Sequence, residues 1–219
     1  MCGDISPESG ASAKQNSQDP SIVPFSDVIK FHGHLCPGVT LGYCAAKVAI
    51  RELKSGRDVD EQLVAIVEND ACGLDAIQMV TGCTIGKGNL IFQDHGKQVF
   101  TFINRVTKDA VRVSLRDREN KDDPALKALR EKVWSGKATP EESRAMRSMM
   151  QAQVDRMLIE PPEEYFDIRH VTIEIPEKAR LFRSVKCSKC GEMVAESRAR
   201  VQDGGFVCIP CFNEYTRGW

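Results

Sequence analysis

Two of the four histidines and one of the nine cysteines fall within five positions, in the stretch FHGHLCPG from Phe31 to Gly38. A thiolate beside neutral imidazoles is a borderline-soft ligand set suited to zinc, iron, cobalt or nickel. Pro37 favours the first turn of a helix, which puts Cys36 at the N-cap. There the positive end of the helix dipole would stabilise a thiolate, so Cys36 is expected to ionise below the ordinary value of about 8.5. The alternative is a buried capping cysteine with two surface histidines at 32 and 34. These residues alone leave both readings open.

A second stretch, ENDACGLDAIQMVTGCTIGKGNL, shifts the balance. Cys72 follows a buried strand, in the kind of loop that carries function, and Asp70 and Asp75 bracket it. If the fold brings Cys36 beside Cys72, a metal or redox centre follows, with His34 or His32 completing it and Asp75 behind the ligands. Cys36, Cys72, His34 and Asp75 are therefore the candidate catalytic set, and His32, His34, Cys36 and Cys72 the candidate metal ligands. The segment TIGKGN lacks the spacing of a phosphate loop. Lys87, between Gly86 and Gly88, either faces an anionic ligand or is a solvated lysine on a turn. His95 and His170 read as non-ligating.

The C-terminal cysteines Cys187, Cys190, Cys208 and Cys211 have the spacing C-x2-C-x17-C-x2-C, that of a four-thiolate zinc site. Gly191 supplies the positive-φ turn after the second cysteine. A disulfide pair or a redox C-x-x-C is the weaker reading, because lasting disulfides are rare in a reducing compartment.

The rest of the chain must position these groups. Its 219 residues suit one medium domain and a small module. A hydrophobic fraction of 42%, a charged fraction of 28% and a net charge of -1 describe an ordinary globular composition and argue against a protein built to coat nucleic acid. No apolar run reaches the roughly 20 residues of a bilayer span, and residues 1–24 lack the apolar core of a secretory signal. No membrane association and a cytoplasmic location are expected. Residues 1–24, rich in Ser, Gln, Pro and Asp, read as a flexible tail.

PFSDVIKF predicts a short helix. Val39, Tyr43, Ala46, Ile50 and Leu53 form the apolar stripe of a longer one, QLVAIVE reads as a buried strand and LDAIQMVTG as a helix. QVFTFINRV and AVRVSLR predict a hairpin, TPEE a capping box and HVTIEIP a last strand. Met146, Met149, Met150, Val154, Met157 and Leu158 form a stripe that is a core or dimer face, or the wall of a cofactor pocket. The mixture without regular βαβ alternation predicts an α+β fold: a mainly antiparallel sheet packed with helices, then a small zinc ribbon. The expected domains are 25–180 and 181–219. The apolar hairpin and the methionine helix predict a homodimer.

FHGHLCPGVTLGYCAAK together with ENDACGLDAIQMVTGCTIGKGNLIFQDHGK resembles the E-subunit family of formylmethanofuran dehydrogenase over residues 25 to 180. The resemblance implies an α+β domain, commonly dimeric, with a Cys/His cleft as metal or redox site. His32, His34 and Cys36 match its first signature; Cys72, Asp75, Gln78 and Cys83 match its second. Gln78, Cys83 and Lys87 are accordingly expected near a cofactor. The ribbon is also similar to the zinc fingers of DksA/TraR-type transcription factors. Together these imply a metal-binding protein of redox or one-carbon chemistry. It would be an accessory subunit or relative of a molybdenum or tungsten formylmethanofuran dehydrogenase, related to methanogenesis and open to a larger enzyme complex. Zinc fills the ribbon, and a second metal of unstated identity fills the cleft. The competing reading is a metal- or ligand-sensing regulator whose ribbon contacts nucleic acid or protein, because KARLFRSVKCSKC carries basic residues and no acidic one.

Overall fold

The computed structural model describes residues 22–117 and 123–218; most of the expected tail lies outside them. The chain divides into two compact units, 1–178 and 179–219.

Alternation with period two builds the sheet of the first unit. Its five strands run in the order β2-β1-β3-β4-β5: β1, Leu63–Val67; β2, Leu90–Phe92; β3, Val99–Asn104; β4, Ala110–Leu115; β5, Phe166–His170. All neighbours are antiparallel except β1 and β2. Leu63, Ala65 and Val67, with Phe100, Phe102, Val111, Val113 and Phe166, face the main core. Val64, Ile66, Ile103 and Ala110 form a smaller cluster with Val171 and Ile175. Mixed helices and a mainly antiparallel sheet make this the expected α+β fold.

Two expectations about this sheet need correction. HVTIEIP is not a strand: β5 lies upstream and ends at His170, after which Val171 and Ile175 pack beside the smaller cluster. VFTFI is buried at every position within one chain, so the apolar surface expected of this strand is already covered, while Val106 in the turn is 74% exposed.

The main core is closed by α1 (Phe25–His32), α2 (Pro37–Glu52), α3 (Gly73–Thr81) and part of α5 (Pro140–Ile159). The stripe Val39, Tyr43, Ala46, Ile50 and Leu53 of α2 is buried throughout. Ile22 and Val23 pack against this core, and the Tyr43 hydroxyl donates to the Val23 carbonyl at 3.1 Å, so order begins before residue 25. α5 starts with the expected capping box of Thr139 and Glu142. Of its apolar stripe, Val154 and Met157 are buried and the rest half-buried. A helix that the sequence reading passes over, α4 (Pro124–Trp134), packs against α5 and buries only Leu126.

A buried polar knot ties α3 to the sheet. Asp58 accepts from the amides of Gln62 and Leu63 at 3.0 and 3.1 Å, from Asn89 Nδ2 at 2.9 Å and from Lys87 Nζ at 3.0 Å. Lys87 also donates to the Asp60 carbonyl at 2.7 Å. It is neither a solvated lysine nor aimed at a ligand; it neutralises a carboxylate that is 1% exposed. Lys87→Met is therefore expected to cost about 2 kcal/mol, the value of a hydrogen bond to a charged group, in urea unfolding. Metal content should not change. Unaltered stability would return Lys87 to the ligand-binding candidates.

Candidate metal centres

Two helix starts build the first centre. α1 ends at His32, and Gly33 turns the chain with a φ of 94°. His34 and Leu35 lead to Cys36, the N-cap of α2, whose Sγ accepts from the Val39 amide at 3.4 Å. From β1 the chain passes through Asn69, whose side chain accepts from the Ala71 amide and donates to the Lys97 carbonyl. Cys72 follows at the start of α3.

The two starts are brought together by glycine. A Cβ on Gly42 would stand 2.1 Å from the Gly73 carbonyl oxygen and 2.5 Å from its Cα. A Cβ on Gly38 would stand 3.2 Å from Cys72 Cβ and 3.8 Å from Cys36 Sγ. Backbone thus rests on backbone where α2 crosses α3, and the cysteines preceding each helix meet.

The donor atoms of His32, His34, Cys36 and Cys72 all lie within 4.8 Å of one another, close to the width of the ligand shell of one ion with bonds of about 2.0–2.3 Å. His32 Nε2 is 3.9 Å from Cys36 Sγ. Its Nδ1 lies 2.7 Å from Asp75 Oδ2. A carboxylate here accepts a hydrogen bond from Nδ1–H, which leaves the Nε2 lone pair for a metal, the usual support of a ligating histidine. The rings of His32 and His34 are 4.4 Å apart. Burial, and then His32, hold the His34 imidazole below its ordinary pKa and keep it in its neutral, ligating form.

The expectation of an acidic Cys36 thiol does not hold. Burial pushes it up to about 11, and the amides of Val39 and Gly38 do not offset burial together with the facing Cys72. Such a thiol is a poor nucleophile at neutral pH. A coordinated cation instead displaces the thiol proton outright, so this geometry suits metal binding better than nucleophilic chemistry.

The remaining candidates lie elsewhere or in supporting places. Asp75 is in the first turn of α3, and Asp70 is exposed. Gln78 is half-buried one turn after Asp75, outside the donor cluster. Cys83 is fully buried in the main core, its thiol pushed up to about 11 by burial, and lies outside the donor cluster. His95 and His170 pair with Glu68 and Glu52 at 3.1 and 3.0 Å.

The second unit carries the other centre. Two short hairpins, β6 with β7 (Ser184–Lys186, Met193–Ala195) and β8 with β9 (Arg200–Gln202, Gly205–Val207), each lead into or out of a cysteine pair. Gly191 has a φ of 80°, as its position after Cys190 requires. The four sulfurs lie within 4.8 Å of one another, with Cys190 Sγ and Cys208 Sγ 3.8 Å apart. Ligands at the corners of a tetrahedron about 2.3 Å from zinc are separated by about 3.8 Å. The amides of Cys190 and Cys208 hold the Cys187 thiol down at about 6, while the adjoining sulfurs, Cys208 first, push Cys211 up to about 12. Four sulfurs this close are held together as ligands by a cation, so this donor set fits zinc.

Comparison with known proteins finds a match for each unit. Residues 31–167 match the family described as FmdE, molybdenum formylmethanofuran dehydrogenase operon. The chain belongs to the FmdE family. Residues 180–217 match the prokaryotic dksA/traR C4-type zinc finger. A crystal structure of a tungsten formylmethanofuran dehydrogenase FmdE-like protein from Syntrophus aciditrophicus is similar, at 25% identity and a TM-score of 0.55, covering 85% of this chain and 89% of that one. A probable S-adenosyl-L-methionine-binding protein of Archaeoglobus fulgidus is 33% identical over 193 residues, 85% of this chain. The chain spans about half of that relative, 51% of its length. No described helix is long and apolar enough to cross a membrane.

The sequence reading missed the glycines. Their signal was present: Gly38 and Gly42 stand four apart on one face of α2, and Gly73 directly follows Cys72. Gly42→Ala is expected to force α2 and α3 apart and cost about 3 kcal/mol, the upper range for overpacking. Gly56→Ala, which meets nothing within 4 Å, is the control. Thermal unfolding that leaves Gly42→Ala level with this control would refute the close crossing.

Proposed function

We propose that the FmdE-like unit holds one metal ion through His32, His34, Cys36 and Cys72 and serves redox or one-carbon chemistry. It would act as an accessory subunit or relative of the formylmethanofuran dehydrogenases of methanogens. The observation that carries this reading is the convergence of four donor atoms with Asp75 behind His32 Nδ1. A bound ion would supply Lewis acidity or, with iron or cobalt, an electron. The residues of the chain hold it, exclude bulk water on the glycine-packed side and fix the His32 tautomer. In the ribbon, zinc is structural: Cys187, Val207 and Cys208 form nearly the whole core, too little apolar mass to fold 41 residues without the metal.

The regulator or adaptor reading also has an observation behind it. Val201 and Phe206 sit opposite each other on the second ribbon hairpin, 69% and 41% exposed, an apolar pair open to a protein partner. Nucleic acid is less well supported. Arg183 is held by both carboxylate oxygens of Glu196 at 2.8 and 2.7 Å, and Lys189 by Gln202 and the Cys211 carbonyl, so the basic run is partly spent inside the ribbon. Assembly as a homodimer or within a larger complex belongs to the same proposal. Its support is the half-buried methionines of α5 and exposed Phe31, Ile85 and Phe92.

Metal analysis of the purified protein tests the assignment. Two equivalents per chain are expected, one lost in Cys36→Ser or His34→Ala and the other in Cys190→Ser. Asp75→Asn should keep both while weakening the first by about 10–100-fold. A single equivalent that only Cys190→Ser removes would leave the Cys/His cluster without a metal.

A further inference from the structure

A cleft of about 170 Å³ opens beside Cys36, between the start of α2 and the middle of α5. Leu35, Pro37, Met150 and Val154 make its walls, with Arg147 and Gln151 at the rim. Arg147, Met150, Gln151 and Val154 recur at the spacing of one helix face, so α5 turns a single stripe towards the cysteine. The stripe is apolar inside and polar at the edge. Arg144, one turn earlier, is paired with Glu141 at 2.6 Å, whereas among the described residues no carboxylate pairs with Arg147. Gln151 gives its amide nitrogen to Asp155 at 2.9 Å, and among the described residues lining the cleft Arg147 is the one cation. The volume equals that of about five or six waters, below the pockets that take drug-sized ligands.

We infer that this cleft binds a small organic carboxylate carrying a second donor atom. Its carboxylate lies on the Arg147 fork, its short carbon chain lies along Met150 and Val154, and its donor atom joins the four protein donors on the metal beside Cys36 as a fifth ligand. A guanidinium matches a carboxylate with two parallel hydrogen bonds. A phosphate dianion would meet only one positive charge here, against apolar walls that suit a carbon chain. The inference rests on the reading of the Cys/His cluster as a metal site and adds the class of ligand that the site selects.

The test uses the full chain loaded with cobalt(II), whose visible spectrum reports a new ligand. The probes are 3-mercaptopropionate and 2-mercaptoethanol, which share the thiol donor and differ in the carboxylate. The carboxylate probe is expected to shift the spectrum at a concentration at least about tenfold lower, the value of one charge-assisted hydrogen bond. Arg147→Gln should erase that preference while keeping cobalt content and thermal unfolding unchanged. Equal affinities in the native protein, a preference that survives Arg147→Gln, no spectral shift with either probe, or removal of cobalt by the carboxylate probe would each overturn the inference. Cobalt content that is unchanged in Cys36→Ser would overturn the metal-site reading itself, and the inference with it.

Discussion

The close approach of α2 to α3 is the constraint on which the candidate Cys/His centre depends. Each helix begins directly after a cysteine, so the distance between the two sulfurs is set by how near the two helix starts can come. Gly42 and Gly73 remove the side chains that would hold the backbones apart. Everything else in the unit supports that crossing. The period-two core of β1 and β3 gives both helices one surface to lie on, and the Asp58 knot fixes the segment after α3 to the start of β1. Asn69 shapes the turn that delivers Cys72.

The two cysteine clusters solve the same electrostatic problem in different ways. In the ribbon, four sulfurs surround one point with almost no hydrophobic core behind them, so the ion is both charge balance and fold. In the FmdE-like unit the core is complete without a metal, and burial makes the Cys36 thiol hard to ionise. A mixed set of two thiols and two imidazoles needs less charge compensation, and Asp75 adds a negative charge behind His32. The proposed centre thus lies beside a cleft, on a unit that has its own hydrophobic core.

Much of this was legible in the sequence because it rests on local rules. Pro37 after Cys36, the capping box at Thr139, the alternation in QLVAIVE and the paired C-x-x-C knuckles each fix structure within a few residues. Grouping His32, His34, Cys36 and Cys72 also followed from motif and context. What failed was non-local. HVTIEIP has strand propensity, but the strand pairing with β4 belongs to Phe166–His170, and Val171 and Ile175 pack beside the smaller cluster instead. Lys87 looked available because its buried partner, Asp58, lies 29 positions away. The acidity expected of Cys36 ignored desolvation, which only the packed structure reveals.

The central claim is that α2 and α3 place Cys36 and Cys72 with His32 and His34 around one ion distinct from that of the ribbon. Cadmium-113 NMR of the cadmium-substituted protein addresses it directly, because the chemical shift reports the number of sulfur ligands. The account predicts two resonances of equal intensity: one in the range of four sulfurs, and one, upfield, in the range of two sulfurs and two nitrogens that disappears in Cys36→Ser. A single four-sulfur resonance from the wild-type protein would contradict it.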